Sequence, residues 1–434
     1  MKKTKMLSLA CAVIMSACMA MGMTACTGTS NSGNGSGSNT AETKAPADSG
    51  KEEGAAGSEN GSDNGAATGD AAVTIKIGGS GPLTGGAANY GNAVKDAAQI
   101  AVDEINAKGG VQFELKFEDD AHDPEKAVTA YGSLKDWGMQ VSLATVTSAP
   151  GAAVSANYQE DKIFAITPSG SSPAVIYADP TNEADPYGNV FQMCFNDPNQ
   201  GIASADYLAD HTDLGTKIAI IYKNDDNYST GVYEKFKAEA GEKNLEIVYE
   251  GTFDASNQSD FSVQLGKAQA AGADLLFLPI YYEPASMILT QANQMGYKPT
   301  IFGIDGMDGI LSLEGFDTSL AEGVYLLTPF SADAEDELTK NFVETYKEKT
   351  GIIPNQFAAD AYDCVYALAQ AIEGAGITGD MSEEEICDAL VAQFTSMTFN
   401  GLTGKDVTWN ENGEVSKSPK AIIIKDGNYV GVED

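Results

Sequence analysis

The chain contains no arginine. All 26 of its basic residues are lysine, set against 62 aspartates and glutamates, for a formal charge of −36 over 434 residues. That balance argues against a nucleic-acid partner, because phosphate binding needs a basic footprint. The missing guanidinium removes the usual bidentate clamp for a buried carboxylate or phosphate. Histidine is almost as scarce: His122 and His211 leave little for a zinc site or a Ser-His-Asp triad. No apolar run beyond the N-terminus is long enough to span a bilayer. Past the leader only Cys194, Cys364 and Cys387 remain. An odd count without compact spacing is no disulfide framework, so buried free thiols are expected.

What is present fits a globular protein, with 43% hydrophobic and 20% charged residues. The length suffices for two or three domains' worth of core. The N-terminus departs from this. Met1–Lys5 is basic, and Met6–Ala25 is apolar and uncharged, the layout of a secretory signal. It ends in M-T-A-C at Cys26, after which residues 27–72 turn to Ser, Gly, Asn, Ala, Thr and acids. This resembles a bacterial lipoprotein signal, which implies lipidation of Cys26 and an extracytoplasmic, membrane-anchored location. Cys18, in M-S-A-C, is a weaker match, and an uncleaved anchor or plain secretory signal is the alternative. Residues 27–72 have too few large apolar side chains to fold and read as a tether.

From Val73 the pattern alternates. V-T-I-K-I (73–77) reads as a strand, and Tyr90–Ala107 as a helix with Val94, Ala97, Ala98, Ala101 and Ile105 on one face. Asp123-Pro124 is a helix-start signal. Strands are expected at 113–117, 140–146, 163–166, 217–222, 245–250, 273–279, 300–303 and 323–328. Helices are expected between them, then a helical stretch over 333–393 and a β-rich tail over 406–432. Such alternation implies parallel sheets with right-handed crossovers. A break around 180–200 divides the units into two α/β lobes. In open α/β sheets, ligands sit beyond the carboxyl ends of the strands, so candidate residues lie just after each strand.

Those positions carry a resemblance. I-K-I-G-G-S-G-P-L-T-G (75–85), A-N-Y-G (88–91), A-V-D-E-I-N-A-K-G-G-V (101–111) and D-D-A-H-D-P-E-K-A-V (119–128) resemble leucine/isoleucine/valine-binding proteins. So do I-T-P-S-G-S (166–171), N-Q-G-I-A-S-A-D-Y-L (199–208), I-Y-Y-E-P-A (280–285) and F-G-I-D-G (302–306). The resemblance is to type I periplasmic binding proteins serving ABC importers. It implies two α/β lobes, each a mostly parallel sheet flanked by helices, with three crossover strands at the hinge. Lobe I would be 73–195 plus 329–418, and lobe II 196–328 plus 419–434, after a signal at 1–25 and a tether at 26–72. It also implies a monomer with a small-molecule ligand, an amino acid of branched-chain type or related, and an ABC permease as partner, and neither enzymatic activity nor a cofactor. A ligand-sensing module for a surface receptor is the alternative role.

By the same resemblance, Ser148 matches a serine whose hydroxyl and N–H hold a ligand carboxylate. A place near a helix start suits an anion in a chain without arginine, although a plain N-cap serine is the simpler role. Ser171 matches a threonine that touches carboxylate and ammonium, and Ser169 an alanine that offers its carbonyl. Asp305 matches a glutamate that pairs with the ligand ammonium, one methylene longer; a loop N-cap is its simpler role. Tyr90, Tyr228 and Tyr281 match aromatic positions that wall the pocket. A small disulfide of the family would fall at His122 and Thr147 and is absent. Asn196 falls near an apolar pocket position, which suggests a polar or aromatic amino acid, or another small molecule such as an aromatic acid or amide.

Three sharper readings fall short. G-G-S-G-P-L-T-G-G (78–86) lacks the G-K-[ST] of a phosphate loop and reads as a tight strand–helix turn. Asp119, Asp120, His122 and Asp123 lack calcium-loop spacing, so no metal is expected. Asp225-Asp226 reads as solvated acids rather than an acid–base pair.

Overall fold

The computed structural model describes residues 73–181 and 184–432. The expectations for the signal, Cys26 and the tether lie outside these residues. The first sheet is built from β1 (Thr74–Gly81), β2 (Gln112–Asp119), β3 (Val141–Thr145), β4 (Phe164–Thr167) and β5 (Val190–Gln192). Its order is β2-β1-β3-β4-β5, and all pairs are parallel. The second comprises β6 (Lys217–Lys223), β7 (Glu246–Phe253), β8 (Leu275–Leu278), β9 (Thr300–Ile304), β10 (Tyr325–Thr328), β11 (Lys420–Lys425) and β12 (Asn428–Gly431). It runs β12-β11-β10-β9-β8-β6-β7, with β11 antiparallel to both its neighbours and every other pair parallel.

Helices α1 (Ala88–Lys108), α2 (Pro124–Trp137) and α3 (Ser148–Asp161) follow the first three strands. The face of α1 anticipated from its periodicity is buried. Asp123 caps α2 by accepting from the N–H groups of Glu125 and Lys126, ahead of Pro124. Helices α4 (Asp197–Asp210), α5 (Asn227–Glu242), α6 (Ser262–Ala270) and α7 (Tyr282–Gln294) serve the second sheet. The expected helical stretch resolves into α8 (Glu337–Thr350), α9 (Gln356–Ala375) and α10 (Glu383–Phe394). Of these, α9 packs along α1, and α10 reaches β4. The chain therefore passes between the sheets three times: after β5, after β10 and before β11. Each sheet brings its strands' carboxyl ends toward the same cleft.

Two local differences have physical reasons. The glycine-rich turn was expected from Gly78, yet β1 runs on to Gly81. It lies between β2 and β3, whose ladders hold the glycines extended, and a Cβ on Gly78 would come 2.1 Å from Met139 Sδ. Helix α4 was not anticipated, although its start at Asn196-Asp197-Pro198 repeats the polar-cap-then-proline signal of α2. Cys194, Cys364 and Cys387 are buried and unpaired.

The last crossing is pinned from inside. The Lys417 side chain is fully buried and pairs with the buried Asp360 of α9, while its Nζ also donates to Thr403 Oγ1 at 2.5 Å. Removing one partner strands the other charge in the core. Lys417→Ala should therefore lower the unfolding free energy by ~3–5 kcal/mol. Urea denaturation checks this, and an unchanged midpoint would refute it.

Candidate ligand site

Residues from both sides of the cleft enclose one small cavity. Its first wall comprises Tyr90 from the first turn of α1, Val146, Thr147 and Ser148 at the β3–α3 junction, Ser169 and Ser171 after β4, and Phe357 from the first turn of α9. Opposite are Tyr228 from the first turn of α5, Tyr281 just before α7, and Asp305-Gly306 after β9. The empty space among them is about 240 Å³. Seven of the eight candidate residues meet here: Tyr90, Ser148, Ser169, Ser171, Tyr228, Tyr281 and Asp305.

Asn196 does not. It is the N-cap of α4, its Oδ1 accepting the Asn199 N–H at 3.0 Å, and it lines a different groove with Tyr177, Trp409 and Lys235. The polar pocket position inferred from it is corrected accordingly: its side chain is committed to a helix terminus. Phe357 went unnoticed because nothing marks one phenylalanine in an apolar helix as pocket-facing.

The serine wall is an anion cradle in form. Ser148 is the first residue of α3, whose N-cap Thr147 makes no side-chain capping bond. The first-turn N–H groups of a helix have no partner within it and carry its positive dipole end. Ser148 Oγ accepts the Ser172 N–H at 3.2 Å, tying the β3–α3 junction to the loop after β4. The two positions of the absent disulfide are in contact all the same: His122 Nδ1 and Thr147 Oγ1 share a hydrogen bond of 2.9 Å. His122 Nε2 then faces Asp226 Oδ2 across the cleft at 3.9 Å. The acids around His122 are engaged too: Asp119 binds the Leu83 and Ala121 N–H groups, and Asp120 the Ser80 hydroxyl.

The opposite wall is acidic and aromatic. Asp305 is only 4% exposed. Its Oδ2 accepts from Gln200 Nε2 at 2.7 Å, and the Tyr228 hydroxyl lies beside the carboxylate. Among the described residues Oδ1 has no hydrogen-bond partner, and no lysine lines the cavity. Burial pushes the Asp305 carboxyl up to about 7. Burial also raises the Asp197 carboxyl, against the Ser171 hydroxyl beside it. The rings of Tyr228 and Tyr281 stack at 5.2 Å, while Tyr90 meets Phe357 edge-on at 4.7 Å. Tyr90 also bridges the lobes: its hydroxyl donates to the Gly306 carbonyl and accepts the Tyr282 N–H at 3.2 Å. The cleft is closed.

A family model for periplasmic binding proteins matches residues 74–422. The chain belongs to the periplasmic binding protein family. This periplasmic binding protein is 28% identical over 365 residues to a Leu/Ile/Val-binding protein homolog of Brucella melitensis, covering 83% of this chain and 94% of that one. It is 27% identical to the leucine-, isoleucine-, valine-, threonine- and alanine-binding protein of Pseudomonas aeruginosa, over 80% and 88% of the two chains. Among solved structures, LivJ of Streptococcus pneumoniae, in complex with isoleucine, aligns with a TM-score of 0.72 at 27% identity, covering 83% of this chain and all (100%) of that one. A solute-binding protein of R. palustris, solved with benzoate, has a TM-score of 0.72 at 20% identity over 83% and 95% of the chains, a likeness of fold.

The raised Asp305 carboxyl has a signed consequence. It titrates near ~3.9 when unfolded and near about 7 when folded. Between those values the native state holds more protons, so this group's contribution to stability falls as pH rises. Asp305→Asn should match wild type near pH ~4 and gain on it progressively toward pH ~7.5 without ligand. Urea titrations at both pH values check this; a gain confined to acid pH would contradict it.

Proposed function

We propose that this protein is the extracytoplasmic receptor of an ABC importer and captures a small zwitterionic α-amino acid by closure of its lobes. The observation that carries the reading is the Asp305 carboxylate, buried in the cavity wall with one oxygen unpartnered among the described residues. A buried anion without a cation is costly, and a ligand ammonium supplies what the chain does not. Opposite, the α3 N-terminus with Ser148 and Ser171 offers donors for a carboxylate, the role an arginine would otherwise fill. Ser169 offers its backbone, and the tyrosine rings with Phe357 and Val146 enclose the side chain.

The cavity is narrow and walled by four aromatic rings, Tyr90, Tyr228, Tyr281 and Phe357, which favours a compact side chain. With Asn196 elsewhere, the remaining walls around that side chain are aromatic and aliphatic. The names of the relatives point the same way. On this reading the lobes are residues 73–195 with 329–418, and 196–328 with 419–434. Closing is a population shift supplied by contacts the ligand makes with both walls, and the permease engages the closed form.

A thermal-shift screen over the common amino acids, with native mass spectrometry for a co-purifying ligand, should find a small aliphatic one. Calorimetry with that ligand should then show Asp305→Ala losing ~2–5 kcal/mol of binding free energy. Full affinity in that variant would remove Asp305 from the site, and failure of every amino acid to bind would sink the reading.

Cys26 is proposed as the lipidated N-terminus of the mature protein, with residues 27–72 as tether. Cys26→Ser should move the protein from the membrane fraction into the soluble extracytoplasmic fraction. Retention in the membrane would point to an uncleaved anchor.

A further inference from the structure

The loop after β9 does more than present Asp305. Three residues on, the Asp308 Oδ2 accepts the backbone N–H of Gln356 at 2.8 Å. Gln356 opens α9 (Gln356–Ala375), which packs with the first sheet's helices, whereas Asp308 belongs to the second sheet's loops. A carboxylate from one lobe thus sits on the N-terminus of a long helix of the other. Both groups are buried, at 3% exposure for Asp308 and 2% for Gln356. The bond is additional to the helix's own cap, in which Asn355 Oδ1 accepts the Ala358 N–H at 3.0 Å.

The loop is fastened to its own lobe. The Asp308 N–H donates to the Asp305 carbonyl at 2.8 Å, closing a single tight turn. Tyr228 accepts the Gly306 N–H and Tyr429 the Gly309 N–H, each at 2.9 Å. The residue facing the cavity and the residue facing α9 are therefore ends of one rigid turn. Burial pushes the Asp308 carboxyl up to about 6 against the bonds it receives. The contact matters chiefly through what each half would lose alone: a buried N–H without an acceptor, or a buried carboxylate without a donor.

We infer that Asp308 is a latch: its side chain holds the lobes closed by accepting from the α9 N-terminus, and it sets ligand residence time without touching the ligand. This rests on the reading above, that closure captures a ligand. The geometry gives the coupling a route, since ordering Asp305 against an ammonium orders the turn that carries Asp308.

The test compares full-length wild type with Asp308→Ala, Asp308→Asn and Gln356→Pro. Proline is tolerated at the first position of a helix and removes the backbone donor, together with the buried Gln356 side chain. Stopped-flow displacement of the amino acid found in the screen should show dissociation about 10- to 100-fold faster for Asp308→Ala and Gln356→Pro. Association rates and the order of preference among amino acids should be unchanged. Asp308→Asn, which keeps an acceptor oxygen, should stay within a few-fold of wild type. Small-angle scattering of the ligand-free proteins should show Asp308→Ala and Gln356→Pro more open than wild type. Wild-type dissociation in Asp308→Ala, a changed ligand preference, or Asn acting like Ala would each overturn the latch. If no amino acid binds wild type, the functional reading fails, but scattering still decides: identical ligand-free profiles for wild type and Gln356→Pro would overturn the latch by themselves.

Discussion

A carboxylate buried without a cation, in a chain that has no arginine to offer it, is the constraint around which the cleft is arranged. Asp305 receives one hydrogen bond from Gln200, has the Tyr228 hydroxyl beside it, and has no hydrogen-bond partner for its Oδ1 among the described residues. Lys417, whose side chain is fully buried, is already paired with Asp360. The protein's own composition therefore leaves an electrostatic vacancy at the junction of the lobes. Under the proposed function, that vacancy is the selectivity device. It disfavours an empty closed cleft and favours one holding a positive centre, so capture and closure become one event.

The two sheets serve this arrangement by geometry more than by side-chain chemistry. Parallel strands end together, and helices begin where strands end. Strand ends and helix starts from two sheets, brought to one cleft, supply free N–H groups from one side and a carboxylate from the other. The same logic repeats at Asp308 and α9, where the donor is a helix terminus and the acceptor comes from across the cleft. An arginine-free protein can recognise charge in this way because backbone amides at a helix start stand in for a guanidinium.

Much of this was legible in the residues. The period of two in V-T-I-K-I and of 3.6 in the helix after it identified β1 and α1, and the strand–helix alternation implied the parallel sheets. Looking just after each strand gathered seven of the eight candidate residues into one cavity. Asn196 misled because its position in the chain is close to the hinge while its side chain answers to a purely local demand, the first turn of α4. Phe357, Gln200 and Asp308 were not found, for a common reason. Each matters through a partner far away in the chain: Gln200 lies 105 residues from Asp305, and Asp308 lies 48 residues from Gln356. Local pattern carries no information about such contacts. Gly78–Gly81 misled in the other direction, because glycine signals a turn locally but here admits close packing inside a central strand.

The pairing of His122 with Thr147 occupies the place of a covalent link at the rim of the cleft. An imidazole and a hydroxyl can part and meet again within the thermal motion of the lobes, and they do so without oxidant or reductant. The three described thiols are buried and separate, so no disulfide among the described residues holds the fold together. At the rim of the cleft the described residues therefore offer a reductant no bond to open.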